Sequence, residues 1–208
     1  MNKIDIDNMV EKYKDENLES NLGWLNHTTQ YDDRSARINY SFIRDRKPKV
    51  VVEFGARTGR CTHDILKALL KNGGKFIFKS YEIEDDLRPV AQKEIDRIFG
   101  DKSITIGGDI TKATDLPDKI DYLFIDNYHD KVTTEWVFNT LIKKCVKGCL
   151  VQMHDVRLIG DYEAPYGGIQ EEAQYLVDMH KDGTLPLEKL YWGYEYEAPI
   201  ESTWWILK

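Results

Sequence analysis

Acidic residues recur where short apolar runs of this chain end, and those points hold most of the chemistry it can do. Glu53 falls near the end of KVVVEFG (49–55), Glu82 near the end of KFIFKSYEI (75–83), and Asp109 ends SITIGGD (103–109). Asp126 follows the apolar part of IDYLFIDN (120–127), and His154 with Asp155 falls near the end of GCLVQMHDV (148–156). Between the first acid and the next apolar segment lies EFGARTGRCT (53–62). There Gly55 permits a tight turn and Gly59 a close backbone approach as a helix begins. The loop lacks the Gly-Lys-Ser/Thr end of a Walker A motif and is not a full G-x-G-x-x-G fingerprint. A carboxylate at Glu53 would repel a pyrophosphate but suit a cationic ligand. Glu82 is placed to accept both hydroxyls of a ribose, while Asp109 could meet an adenine or cap the next helix. Asp126 and Asp155, with His129 and His154 nearby, could bind a hard divalent cation. Without a metal the two acids would perturb each other, and either imidazole could act as a general base.

The elements that must position these residues follow from the hydrophobic pattern. The β-branched run at 49–55 reads as a buried parallel strand, followed by a helix from Thr62 to Lys71 with Ile65, Leu66, Leu69 and Leu70 in register. Strands at 75–83, 103–109, 120–127 and 148–156 follow, with helices at 87–99, 133–144 and 169–180. LEKLYWGY (187–194) and STWWILK (202–208) read as two antiparallel closing strands. Strands alternating with helices predict a doubly wound α/β fold, its sheet mostly parallel with an antiparallel C-terminal strand. Ligands of such sheets bind at the carboxyl ends of the strands, where the acids fall. The first ~20 residues read as an amphipathic helix on Ile4, Met9, Val10 and Tyr13, with a second short helix at 34–44. The expectation is a single domain over 1–208, with 1–47 an N-terminal helical extension or lid and 48–208 the α/β core.

Composition narrows the partners. With 29 Lys and Arg against 36 Asp and Glu, the net charge is −7, which argues against a nucleic-acid substrate. The basic stretch from Arg44 to Lys49 reads as a solvated linker. No run approaches the roughly 18 apolar residues of a membrane span. The acidic N-terminus is unlike a signal peptide, so the expected location is cytoplasmic, and a homo-oligomer is compatible with the sequence. The three cysteines, Cys61, Cys145 and Cys149, read as buried free thiols.

VVVEFGARTGRCT resembles the cofactor loop of the class I methyltransferases, in its E-x-G-x-R-x-G-x-S/T form. FIDNYHD followed by GCLVQMHDV resembles the I-D-G-x-H and G-G-x-x-x-x-H-D pair of a small-molecule and sugar O-methyltransferase branch, similar to macrolide-sugar and catechol-type enzymes. The resemblance covers about residues 48–180, departs at Asn127 and Cys149, and implies a seven-stranded sheet. It also implies S-adenosylmethionine as cofactor, held by Glu53, Gly55, Arg57, Gly59, Glu82, Asp109 and Asp126. Magnesium or another divalent metal would be held by Asp126, His154 and Asp155, histidine being a softer ligand than magnesium prefers. Asp126, His129 and His154 would be catalytic, and the acceptor a hydroxyl of a small molecule, a sugar or polyol. Substrate contacts are expected from Trp24, His27 and Tyr31 and from Asp161, Tyr162, Glu163 and Tyr166. Trp192, Trp204 and Trp205 are expected in sheet packing or a dimer face. The alternatives are an N-methyltransferase of a small amine, an NAD-dependent oxidoreductase and a non-catalytic cofactor-binding module.

Overall fold

In a computed structural model of the chain, residues 3–16, 33–100, 104–155, 171–192 and 202–208 are described. β-Branched and aromatic runs form β1 (Val50–Phe54), β2 (Ile77–Tyr81), β3 (Ile106–Gly107), β4 (Ile120–Ile125), β5 (Cys145–His154), β6 (Leu187–Trp192) and β7 (Ser202–Leu207). They make one seven-stranded sheet in the order β3-β2-β1-β4-β5-β7-β6. The five strands from β3 to β5 are parallel, and β7 runs antiparallel to both β5 and β6. This is the doubly wound, mostly parallel sheet that the alternating pattern predicts. The edge strand β3 is shorter than expected because Gly107 lies against the Tyr81 ring and Asp109 turns the chain into a 3-10 turn (Ile110–Lys112).

The helices cover both faces, so the strands alternate between two apolar layers. α1 (Lys3–Lys12), α2 (Asp33–Arg46), α3 (Arg60–Asn72) and α4 (Arg88–Phe99) serve one face, where Ile38, Phe42, Ile65, Leu66 and Ile95 meet Val51, Phe78, Phe124 and Leu150. α5 (Lys131–Trp136) continues through a π-helical turn (Val137–Leu141) into α6 (Ile142–Lys144). With α7 (Glu171–Lys181), these helices cover the other face, where Val137, Leu141 and Leu176 meet Val52, Leu123, Ile125 and Val151. Full burial of each such side chain stabilises the fold by about 1.5–3 kcal/mol.

Several local expectations change. α1 ends at Lys12, short of the expected length. α2 runs to Arg46 and supplies fully buried Tyr40, Phe42 and Ile43, so it is a core helix rather than a short appendage. Arg44 belongs to that helix and not to a solvated linker. Its Nε and Nη2 donate to Glu16 Oε2 and Oε1 at 2.8 and 2.9 Å, holding the Glu16 carboxyl down to about 2. α5 begins at Lys131 because Asp130 caps it, accepting from Thr133 N at 2.7 Å. Leu70 is exposed, and Cys145 is half-buried whereas Cys61 and Cys149 are buried.

Glu53 is the largest correction. It lies within β1, paired with Ser80 and Phe124, so its side chain falls on the α3 face of the sheet, fully buried. Its Oε2 accepts from Thr62 Oγ1 at 2.6 Å and Ser80 Oγ at 2.5 Å. Burial pushes the carboxyl from 4.5 to about 7 despite those hydrogen bonds. Between these two values the folded chain holds a proton that the unfolded chain releases. Stability from this group is therefore complete below about pH 4.5 and lost as pH rises through 7, by up to ~3 kcal/mol. Urea unfolding at pH 5, 6.5 and 8 should show this loss in the wild type and a flatter profile in Glu53→Gln, which is more stable than wild type at pH 8. Parallel profiles would show that Glu53 ionises freely in the fold.

Candidate active site

Strand register brings the chemistry to one place. Phe54 pairs with Ile125, Ile125 with Met153, and Asp126 N donates to Phe54 O at 2.8 Å. Asp126 therefore leaves β4 directly beside the glycine loop on one side and beside His154 and Asp155 on the other. On the far side of β1, Gly55 N and Ala56 N both donate to Tyr81 O, which draws the loop toward Glu82. A Cβ on Gly55, at φ 94°, would sit 1.9 Å from Asp126 O, so only glycine fits where the loop crosses β4.

These strand ends open a cleft of about 240 Å³, lined by Gly55, Arg57, Glu82, Asp126, His129 and Asp155 among others. Glu82 is oriented by the backbone. Its Oε2 accepts from Arg57 N at 2.5 Å and its Oε1 from Glu84 N at 2.9 Å. Each oxygen keeps a second lone pair for a ligand. Ile83 and Tyr128, exposed by 43% and 61%, supply apolar surface to the same cleft. Five non-glycine residues among those described have left-handed backbone, and three of them, Arg57, His129 and Asp155, line this cleft. Such conformations cost on the order of 1–3 kcal/mol each and concentrate where function imposes them.

At the inner end, Asp126, His154 and Asp155 each present an atom within 4.8 Å of the other two. His154 is buried, with Nδ1 3.6 Å from Asp126 and 3.3 Å from Asp155. Burial disfavours its charged form, but the two acids outweigh it and hold the ring's pKa up at about 10. His129 sits across from them, its Nε2 3.8 Å from Asp126 and 3.6 Å from Asp155. Its Nδ1 meets Glu172 Oε2 at 2.6 Å. Burial would lower its pKa, yet the Glu172 hydrogen bond and the surrounding carboxylates raise it.

The expected site residues thus divide. Gly55, Arg57, Glu82, Asp126, His129 and Asp155 share the cleft, and His154 lies behind its acids. Glu53 is in the core, and Gly59 does not line the cleft. A Cβ on Gly59 would sit 3.1 Å from the Ala91 Cα, so this glycine lets α3 and α4 approach. Asp109 caps the 3-10 turn, accepting from Thr111 N and Oγ1 at 2.9 and 2.6 Å, and forms an ion pair with Lys112. Asn127, which departs from the resembled motif, accepts from His129 N at 2.8 Å and so shapes the turn that carries the histidine. Glu172 was not singled out by sequence. Its place in an acidic first turn of a helix looks like ordinary helix-start chemistry, and only the docking of α7 reveals it. Trp24, His27, Tyr31, Asp161, Tyr162, Glu163 and Tyr166 lie outside the described residues, as do the side chains of Trp192, Trp204 and Trp205.

A family profile described as a methyltransferase domain matches residues 52–156, half of the chain, and spans the glycine loop, Glu82, Asp126 and Asp155. The chain belongs to this methyltransferase-domain family, and its fold is that of the class I, S-adenosylmethionine-dependent methyltransferases. Family membership makes it a methyltransferase rather than an oxidoreductase. Among solved structures, an O-methyltransferase from Bacillus cereus in complex with SAH superposes with a TM-score of 0.66 at 11% identity, covering 98% of this chain and 100% of that one. An SAH-bound methyltransferase of Podospora anserina gives 0.64 at 15% identity, covering 100% and 97%. The O-methyltransferase TomG from Streptomyces achromogenes, involved in tomaymycin synthesis and bound to SAM, gives 0.61 at 12% identity, covering 100% and 92%. At these identities the likeness is one of fold. No curated protein matches the chain. Among the described residues, no helix is long and apolar enough to cross a membrane.

Proposed function

We propose that this protein transfers a methyl group from S-adenosylmethionine to a hydroxyl of a small molecule, a sugar or another polyol, with a divalent cation assisting. The observation that carries this reading is the convergence of Glu82, Asp126, His129 and Asp155 on one cleft beside the glycine loop. The SAH- and SAM-bound relatives of the same fold support the choice of cofactor.

S-adenosylmethionine supplies the methyl group on a sulfonium, already reactive toward a well-placed oxygen. The residues must bind it, orient the acceptor and take the acceptor's proton. Glu82 accepts the ribose hydroxyls with the lone pairs that the Arg57 and Glu84 amides leave available. Ile83 and Tyr128 offer apolar faces to the adenine, and the carboxylate-rich cleft favours a cationic ligand. During methyl transfer His129 Nε2 would accept the proton of the acceptor hydroxyl. General-base catalysis of this kind contributes about 10²–10⁴-fold. The oxygen and nitrogen donors of Asp126, Asp155 and His154 lie close enough together to hold a divalent ion. Such an ion would lower the pKa of a bound hydroxyl, and the imidazole suits a softer divalent ion better than magnesium.

Calorimetric titration of S-adenosylmethionine should show micromolar binding to the wild type. Glu82→Ala should bind about 10–100-fold more weakly, because hydrogen bonds to a charged group contribute ~1.5–3 kcal/mol. Equal affinity in both would remove Glu82 from the ribose, and no binding to the wild type would sink the reading.

A further inference from the structure

Two consecutive glutamates open α7, and they are treated differently by the fold. Glu171 is exposed, its carboxylate accepting from Lys131 N at 3.2 Å, as a first-turn acid ordinarily does. Glu172 is 1% exposed. Burying a carboxylate costs several kcal/mol unless specific partners compensate it. The partners of Glu172 are His129 and the helix that follows it. Its Oε2 lies 2.6 Å from His129 Nδ1, and its backbone N donates to His129 O at 3.2 Å. Its Oε1 accepts from Thr134 Oγ1 at 3.5 Å, one turn into the helix that follows His129. Main chain and side chain of Glu172 therefore hold the same left-handed turn from the α7 side, while Asn127 Oδ1 holds it from the β4 side.

We propose that Glu172 is a positioning residue for methyl transfer, fixing the ring plane and tautomer of His129 so that Nε2 faces the acceptor. The proposal rests on the reading of His129 as proton acceptor. A carboxylate at Nδ1 requires a donor there, so the neutral ring carries its proton on Nδ1 and its lone pair on Nε2. That lone pair points toward Asp126 and Asp155, at 3.8 and 3.6 Å, where the acceptor hydroxyl is to bind. The opposite tautomer, with the proton on Nε2, could not accept a proton there. The same logic orients general-base histidines by a buried acid in hydrolytic triads. It also places α7 in the catalytic apparatus, although none of the described α7 side chains lines the cleft.

The test reads the ring directly and needs no acceptor. Long-range ¹H–¹⁵N spectra of the full chain, with the His129 signals identified by their loss in His129→Gln, report which nitrogen is protonated. In the wild type, above the ring's titration, the neutral ring should carry its proton on Nδ1. In Glu172→Gln the pattern should shift toward a mixed or Nε2–H tautomer, and in Glu172→Asp it should be partly restored. Affinity for S-adenosylmethionine by calorimetry should stay within about threefold of wild type in both variants. An Nε2–H ring in the wild type overturns the proposal without any variant, as does an unmoved pattern in a folded Glu172→Gln. If the wild type binds no S-adenosylmethionine, the methyltransferase reading fails and the proposal falls with it. Intact binding with an unmoved ring pattern rejects the proposal alone.

Discussion

Replacing Asp126 with asparagine should reduce methyl transfer by about a thousandfold or more while leaving the fold intact. The substitution keeps size and backbone but removes the charge at the point where three elements of the site meet. Asp126 faces the His129 ring at 3.8 Å and His154 at 3.6 Å, lines the cleft, and shares the candidate cation position with His154 and Asp155. Loss of a metal ligand and of the electrostatic support for a general base each bring effects of about 10²–10⁴-fold, and these do not add independently. The measurement is initial-rate methyl transfer to whichever sugar or polyol acceptor the wild type modifies, with a divalent metal and with excess chelator. A variant retaining more than a tenth of the activity would show that Asp126 serves the cofactor or the fold instead. Equal wild-type rates with metal and with chelator would remove the cation and leave His129 to manage the proton alone.

Alanine at Gly55 should destabilise the protein by about 3–5 kcal/mol, a large part of the 5–15 kcal/mol typical of a domain. Two effects combine. At φ 94° an L-residue is strained, costing on the order of 1–3 kcal/mol. The added Cβ would also lie 1.9 Å from Asp126 O, a backbone atom that cannot rotate away. β1 and β4 would have to part at their ends, with Asp126 N no longer held by Phe54 O. Urea unfolding should show an earlier midpoint, and S-adenosylmethionine binding should be lost even under conditions where the variant is folded. A loss below about 1 kcal/mol would mean that the loop can move off β4, and the close crossing would not be what fixes Asp126. The comparison with Asp126→Asn is informative, because one variant removes the charge and the other displaces the backbone that presents it.

Helix and strand order was legible because its signals are local. Alternation of β-branched runs with helical spacing, and glycines where the chain must turn, need no distant partner to be read. The antiparallel closing pair was legible too, since the sequence shows no helical spacing between the apolar segments at 187–194 and 202–208. Boundaries were less so. Capping by Asp130 starts α5 early, and packing against the sheet carries α2 through Arg44 to Arg46.

The strand-end acids mark the limit between sequence and structure. Glu53, Glu82 and Asp126 look alike as acids that close apolar runs. Glu82 and Asp126 come one residue after the last paired residue of β2 and β4, and their side chains enter the cleft. Glu53 comes one residue before the end of β1, still within the ladder, and side chains there alternate between the two covered faces. A difference of two positions thus separates a cleft residue from a core acid with a pKa near 7. Composition and periodicity determined the α/β class, the glycine loop and the pool of candidate acids. Tertiary structure decided which acids share a cleft, because register across β1, β4 and β5 sets which strand tips are neighbours. It alone brought Glu172 to His129, since that contact joins residues 43 positions apart through the docking of α7, which no local pattern encodes.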